Sequence, residues 1–163
     1  WSEADLSDLF YRYGEITFSK KLAAKIGRTR EENPIVYPHQ LKACLSGLCP
    51  PKHSAKMLIR CFQALRIAVN DEMGALEEML RSTPRYIKPG GKLVVISYHS
   101  LEDRMVKYFI RSGNMEGKVE KDFYGAVLAP FKATPLSAIK PNEAELELNT
   151  RSRSARMRVG TRN

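Results

Sequence analysis

Apolar residues recur at helical spacing through the first part of the chain. Leu6, Leu9, Phe10 and Tyr13 form one such series and Leu22, Ala23 and Ile26 another. This period of three to four residues predicts amphipathic helices. Ser2 and Asp5 fit a Ser-x-x-Asp capping box ahead of the first helix, and Gly14 is placed to end it. The second helix covers Lys20–Ile26, and the charged run Arg28–Pro34 reads as a helix end plus a loop. A short helix is expected over Pro38–Leu48. Cys49-Pro-Pro-Lys-His53 breaks the pattern, and a longer helix follows over Ser54–Ala68. Asn70, Asp71 and Glu72 open another, which should end near Pro84.

The texture then changes. Pro89-Gly90-Gly91 marks a turn, and Leu93–Ile96 is an apolar, β-branched run with no polar alternation. Such a run predicts a strand buried on both faces of a parallel sheet. Ser100 opens a helix with Met105, Val106, Phe109 and Ile110 on its apolar side and Gly113 at its end. A strand is expected within Tyr124–Phe131, and a short helix at Asn142–Glu147 on an exposed loop. Ala155–Thr161 alternates as a half-exposed terminal strand does. Helix, turn, strand, helix is the rhythm of a doubly wound α/β domain. The pattern divides the chain into a helical part, 1–68, and an α/β part, 69–163. Three strands are fewer than a doubly wound sheet needs, so the second part looks like the later half of a domain whose first half is absent.

Charge sharpens this picture. The net charge is +9, and Arg151–Asn163 holds five arginines and no acid. That balance suits a polyanionic partner or serves solubility alone. Cys44, Cys49 and Cys61 contain no Cys-x-x-Cys pair, which argues against a disulfide framework and a zinc site and fits a reducing cytosol. No run approaches the ~20 apolar residues of a membrane helix, and Trp1-Ser-Glu-Ala-Asp5 does not read as a secretory signal.

His99, Ser100, Glu102, Asp103 and Arg104 cluster where the Leu93–Ile96 strand ends. In open α/β sheets ligands bind outside the carboxyl ends of strands. Ser100 and Asp103 equally match a helix cap, and acids in a first turn suit the helix dipole. Arg104 either pairs with those acids or holds a phosphate. Arg60, Gln63 and Arg66 share one broad face of a helix whose apolar stripe is expected at Phe62, Leu65 and Val69; the polar face is either solvated or in contact with substrate. Lys52, His53 and Lys56 form a basic cluster on a loop. Arg156 and Arg158 fall on one face of the last strand, where they line an RNA groove or protect an edge from aggregation.

Four segments together resemble one family. Leu93-Val-Val-Ile-Ser-Tyr-His-Ser-Leu-Glu-Asp-Arg104 is similar to a signature of the bacterial 16S ribosomal RNA (cytosine-N4)-methyltransferases. Tyr13-Gly-Glu15, Arg60–Asn70 and Asn149–Arg158 resemble three further motifs in the same order. Tyr98, Ile16 and Thr150 depart from the usual residues, and none of these removes a charge from the His99–Arg104 cluster. The resemblance implies a helical insertion domain that recognises substrate, 1–68, followed by the C-terminal half of a Rossmann-like class I methyltransferase domain, 69–163. It implies S-adenosylmethionine as cofactor, although the glycine-rich loop and acidic ribose contact of the family have no match here, so the 163 residues alone are expected to be inactive. It implies methyl transfer to N4 of a cytidine in the decoding region, with naked 16S rRNA or the small subunit as partner, in the cytoplasm and without a metal. His99, Glu102 and Asp103 become the candidates for contact with the reacting base. Ser100, Arg104, Arg60, Gln63, Arg66, Arg156 and Arg158 become candidates for holding the substrate. An exposed strand edge would also invite a homodimer. The competing reading is a non-catalytic RNA-binding or ribosome-assembly module.

Overall fold

The computed structural model describes all residues, Trp1–Asn163, as seven α-helices, one 3-10 helix and three strands. They form two compact units, Trp1–Glu72 and Met73–Asn163.

The first unit is helical: α1 Glu3–Arg12, α2 Ser19–Glu32, α3 Pro38–Cys44 and α4 Pro51–Asn70. Ser2 caps α1 as its sequence predicts. Its hydroxyl accepts from the Asp5 N–H at 3.1 Å, and the Asp5 carboxylate accepts from the Ser2 N–H at 2.9 Å. Leu6, Leu9 and Phe10 are buried against Leu22, Ala23 and Ile26 of α2. Two expectations fail in α4. The helix starts three residues early because Pro51 occupies its first turn, where a missing N–H costs nothing. Lys52, His53 and Lys56 therefore sit on helix, not loop. The buried stripe runs through Cys61 and Ala64 with Leu65 half-buried, whereas Phe62 and Val69 are exposed. The fully buried residues of α4 are Cys61, Ala64 and Ile67, an i, i+3, i+6 series that turns Phe62 outward.

The second unit contains α5 Glu72–Tyr86 apart from its first residue, β1 Lys92–Ser97, α6 Ser100–Ser112, β2 Phe131–Ala133, α7 Glu143–Leu148, the 3-10 turn Thr150–Ser154 and β3 Arg156–Arg162. α5 passes through Pro84 and ends two residues beyond it. Proline has no N–H for the Leu80 carbonyl, and the Thr83 hydroxyl donates to that carbonyl instead, at 2.7 Å. The strand order is β1-β3-β2, with β3 antiparallel to both neighbours.

This topology corrects three expectations. The terminal strand is central, not an edge. β1 is the edge and is antiparallel to its partner, so its apolar run is not buried on both faces: Leu93 is buried, but Val94 and Ile96 are 53% and 55% exposed. One face of β1 packs on α6 and the other is left uncovered. Tyr124–Phe131 does not hold a strand. It contains a tight turn, closed by a single antiparallel bridge between Lys121 and Val127, in which the Asp122 carboxylate accepts from the N–H groups of Tyr124 and Ala126 at 2.9 and 2.8 Å, and the strand itself begins only at Phe131.

The core of this unit joins Leu80, Leu93, Val106, Phe109, Ile110 and Phe131. Gly160 in β3 lets α6 approach: a Cβ there would lie 3.1 Å from both Ile110 Cγ2 and Phe131 Cβ. Gly113 ends α6 at φ +75°, a left-handed conformation that glycine adopts without strain.

Candidate active site

β1 ends at Ser97, and the chain turns through Tyr98 and His99 into α6. Ser97 is buried, and its hydroxyl donates to the Arg156 carbonyl at 3.3 Å, tying the end of β1 to the start of β3. The helix cap falls one residue before the predicted Ser100. His99 is the N-cap: its Nδ1 accepts from the Glu102 N–H at 3.3 Å. Glu102 answers in kind, its Oε2 accepting from the N–H groups of Tyr98 at 2.9 Å and His99 at 3.2 Å. An Nδ1 that accepts cannot carry the ring proton, which therefore resides on Nε2. That nitrogen lies 3.4 Å from Glu102 Oε1. The two residues thus brace each other through their backbone N–H groups beside the end of β1, the Nε2–Oε1 approach itself falling short of hydrogen-bond geometry, with Glu102 the more open at 26% side-chain exposure against 9%. Ser100, freed from capping, is exposed in the first turn, as is Arg104 one residue past Asp103.

Asp103 faces the other way, into the protein. Its Oδ1 accepts from Arg158 Nε at 2.6 Å, and its Oδ2 accepts from Arg158 Nη2 at 3.0 Å and Arg156 Nη1 at 3.1 Å. Burial works to raise the Asp103 pKa, but the hydrogen bonds and charges of Arg158 and then Arg156 outweigh it and hold the carboxyl below the usual aspartate range. The period of two along β3 puts both arginines on one face, as the alternation predicts. One carboxylate against two guanidinium groups leaves the cluster with a net positive charge. Arg158 is enclosed, at 13% side-chain exposure, and Arg156 stands at the rim at 49%.

Arg60, Gln63 and Arg66 belong to the helical unit. Arg60 Nη1 donates to the Glu15 carbonyl at 3.3 Å, Gln63 is half-buried, and Arg66 forms a two-pronged pair with Glu72 at 2.7 and 3.1 Å. The ion cluster centred on Asp103 was not legible in the sequence, because its members lie 53 and 55 residues apart. The charge of Asp103 next to an apparent cap box gave no signal of that reach.

A nucleoside cofactor with a carboxylate would meet the following residues at this place. The start of α6 is already satisfied by His99 and Glu102, and two acids crowd its first turn. The N–H groups of Tyr98, His99, Glu102 and Asp103 are all taken, and the acids Glu102 and Asp103 oppose a ligand carboxylate there. Gly90-Gly91 precedes β1 instead of following it. These residues by themselves do not fit the cofactor that the sequence resemblance implies.

The model of the MraW methylase family matches residues 1–163. The chain is 50% identical over 157 residues to the protein named "Ribosomal RNA small subunit methyltransferase H" of Amoebophilus asiaticus, covering 96% of this chain and 51% of that protein. Its identity to the protein of the same name from Parabacteroides distasonis is 49% over 154 residues, covering 94% and 50%. For that of Bacteroides thetaiotaomicron it is 46% over 159 residues, covering 98% and 52%. The chain spans about half the length of the curated relatives it matches.

Proposed function

This chain belongs to the MraW methylase family, and from that premise we propose that it forms part of an S-adenosylmethionine-dependent methyltransferase acting on small-subunit ribosomal RNA. The proposed reaction places a methyl group on N4 of a cytidine in the decoding region. In this reading residues 69–163 are the C-terminal half of a Rossmann-like methyltransferase domain and 1–68 a helical insertion that recognises substrate. The rRNA, naked or in the small subunit, is the partner in the cytoplasm, and the open edge of β1 is where a second copy would pair. The observation that supports the reading most directly is the His99–Glu102 pair at the carboxyl end of β1.

S-adenosylmethionine supplies the methyl group when bound. The exocyclic amine of cytosine is conjugated into its ring and is a weak nucleophile. Its lone pair is freed when an oriented acceptor takes a hydrogen bond from the amine. Glu102 is that acceptor in the proposal: Oε2 is pinned by two backbone N–H groups, leaving Oε1 beside the His99 ring. His99 and Glu102 touch the base, while Asp103 acts through Arg156 and Arg158, keeping the start of α6 fixed on β3. Ser100, Arg104, Arg156, Arg60, Gln63 and Arg66 contribute polar and cationic contacts to the RNA; Arg158 is the enclosed part of the clamp.

Two measurements test this. Titrating the 163-residue chain with S-adenosylmethionine in a calorimeter should give no heat, and stoichiometric binding would overturn the account of what these residues lack. A protein of the relatives' full length that carries this chain should transfer radiolabelled methyl to small-subunit rRNA, and mass spectrometry of the digest should find N4-methylcytidine. A purified, folded protein that labels no rRNA would overturn the enzymatic reading and leave an RNA-binding or assembly role.

A further inference from the structure

Tyr37 and His39 flank Pro38 at the start of α3, and their rings stack with centroids 5.6 Å apart and planes 9° apart. Tyr37 is 61% exposed, and His39 is also exposed. Neither ring supports the core of the helical unit. The backbone beneath them is firmly held. Gln40 Oε1 accepts from the N–H groups of Val36 and Tyr37, both at 2.7 Å. Pro38 fixes the first helical position. A stiff turn therefore displays two parallel rings to solvent, so little further ordering is needed when something binds them.

Charge indicates what that partner is. Lys42 is exposed three residues after His39, on the same side of α3. From Asn33 to Asn70 the chain has no aspartate or glutamate, while Lys42, Lys52, Lys56, Arg60 and Arg66 all fall within it. The other exposed aromatic pair, Phe123 and Tyr124, meets edge to face at 88°, and its turn is flanked by Glu120 and Asp122 as well as Lys121. Only the Tyr37–His39 pair combines parallel rings with a following stretch of chain, up to Asn70, that carries basic residues and no acid, Glu31 and Glu32 lying before it at the end of α2.

We infer that the Tyr37–His39 stack, with Lys42, is a docking point for single-stranded RNA. A base extends the stack by lying on the free face of a ring, and an adjoining phosphate meets the Lys42 ammonium. Aromatic platforms beside cationic side chains bind single strands in this way, with little demand on sequence. The inference rests on the reading above that the protein acts on RNA, and it names a contact remote in sequence from the His99–Glu102 pair.

The test is fluorescence anisotropy of a fluorescein-labelled single-stranded oligoribonucleotide titrated with the protein at several salt concentrations. Tyr37→Ala should weaken binding about five- to a hundredfold, and Tyr37→Phe should keep it. Lys42→Gln should reduce the slope of log affinity against log salt by about 0.7. Unchanged far-UV circular dichroism will show that the variants fold, as expected for exposed side chains. If the wild type binds and Tyr37→Ala binds equally well, the inference falls while the proposed function stands, and the surface is left to a protein partner. If the wild type binds no RNA even at low salt, the inference also falls, and the methylation assay alone decides the function.

Discussion

Asp103 and Arg158 meet side-on across 55 residues of sequence, with Nε 2.6 Å from Oδ1 and Nη2 3.0 Å from Oδ2. Charge-assisted bonds in this two-pronged form are among the stronger polar contacts in proteins. The pair fastens the first turn of α6 to the middle strand, directly behind His99 and Glu102.

Removing one partner strands the other. Asp103→Ala leaves the enclosed Arg158 guanidinium without its carboxylate, and loss of one member of a buried pair costs about 3–5 kcal/mol. Arg156→Gln should cost under about 1 kcal/mol, because that side chain is half-exposed and donates a single bond. Urea unfolding of both variants checks the order. Equal losses would mean that Arg158 is not the anchor.

The same contact sets an acid limit. The Asp103 carboxyl is held below its ordinary range in the folded chain, so the folded state binds its proton less readily than the unfolded one. The stabilisation is complete above the unfolded aspartate value of about 4 and is lost as pH falls through the folded value. Melting temperatures measured downward from neutral pH should therefore drop below about pH 4. In Asp103→Asn the drop should be shallower, with a remainder from groups such as Asp5, whose carboxyl the Ser2 hydroxyl also holds down.

How much of this could be read beforehand follows the range of the forces involved. The Ser2–Asp5 cap, the buried faces of α1 and α2, the Gly113 stop and the apolar side of α6 all depend on neighbours within about one or two helical turns, and the sequence displays them. The pairing of β1 depends on a strand some 60 residues away, and four consecutive apolar residues cannot say whether one face or two will be covered. His99, not Ser100, caps α6 because Glu102 reaches back to the turn; a Ser-x-x-Asp reading assigns that role to the wrong pair. Position alone makes Asp103 a candidate for chemistry, yet its partners on β3 use both of its oxygens.

The three thiols should react in an order set by access. Burial, and then the nearness of Cys49 and Cys44, pushes the Cys61 thiol up to about 12, so it carries no thiolate at working pH. Cys44 is buried too, with Sγ 3.5 Å from the Gln40 carbonyl oxygen. Cys49 alone is partly open. Iodoacetamide near pH 8 followed by peptide mass spectrometry should label Cys49 first in the native chain and all three in urea. Early labelling of Cys61 would contradict the packing of α4 described above.

Gly160 should prove a packing residue, not a flexible one. Alanine there drives a methyl group to 3.1 Å from Ile110 Cγ2 and Phe131 Cβ, and such overpacking costs about 1–3 kcal/mol. Ile110→Ala opens a cavity at the same spot and costs about 2–5 kcal/mol. Together the two should cost less than their sum by about 0.5–3 kcal/mol, since the new methyl enters space the isoleucine vacated. Simple additivity in a double-mutant cycle would show that α6 does not bear on β3 at this position.

His99 has two separable duties, and one substitution can divide them. As the N-cap it supplies an acceptor to the Glu102 N–H, a service asparagine performs at least as well. His99→Asn should therefore leave stability within about 0.5 kcal/mol of the wild type, whereas His99→Ala should lose about 1 kcal/mol. Asparagine offers no ring N–H beside Glu102 Oε1, where Nε2 now stands at 3.4 Å. In a protein of the relatives' length, His99→Asn should lower rRNA methylation at least tenfold despite its intact fold, with Glu102→Gln lowering it as much or more. If His99→Asn methylates normally and only His99→Ala fails, capping is the whole role of this histidine, and the base-facing assignment passes to Glu102 alone.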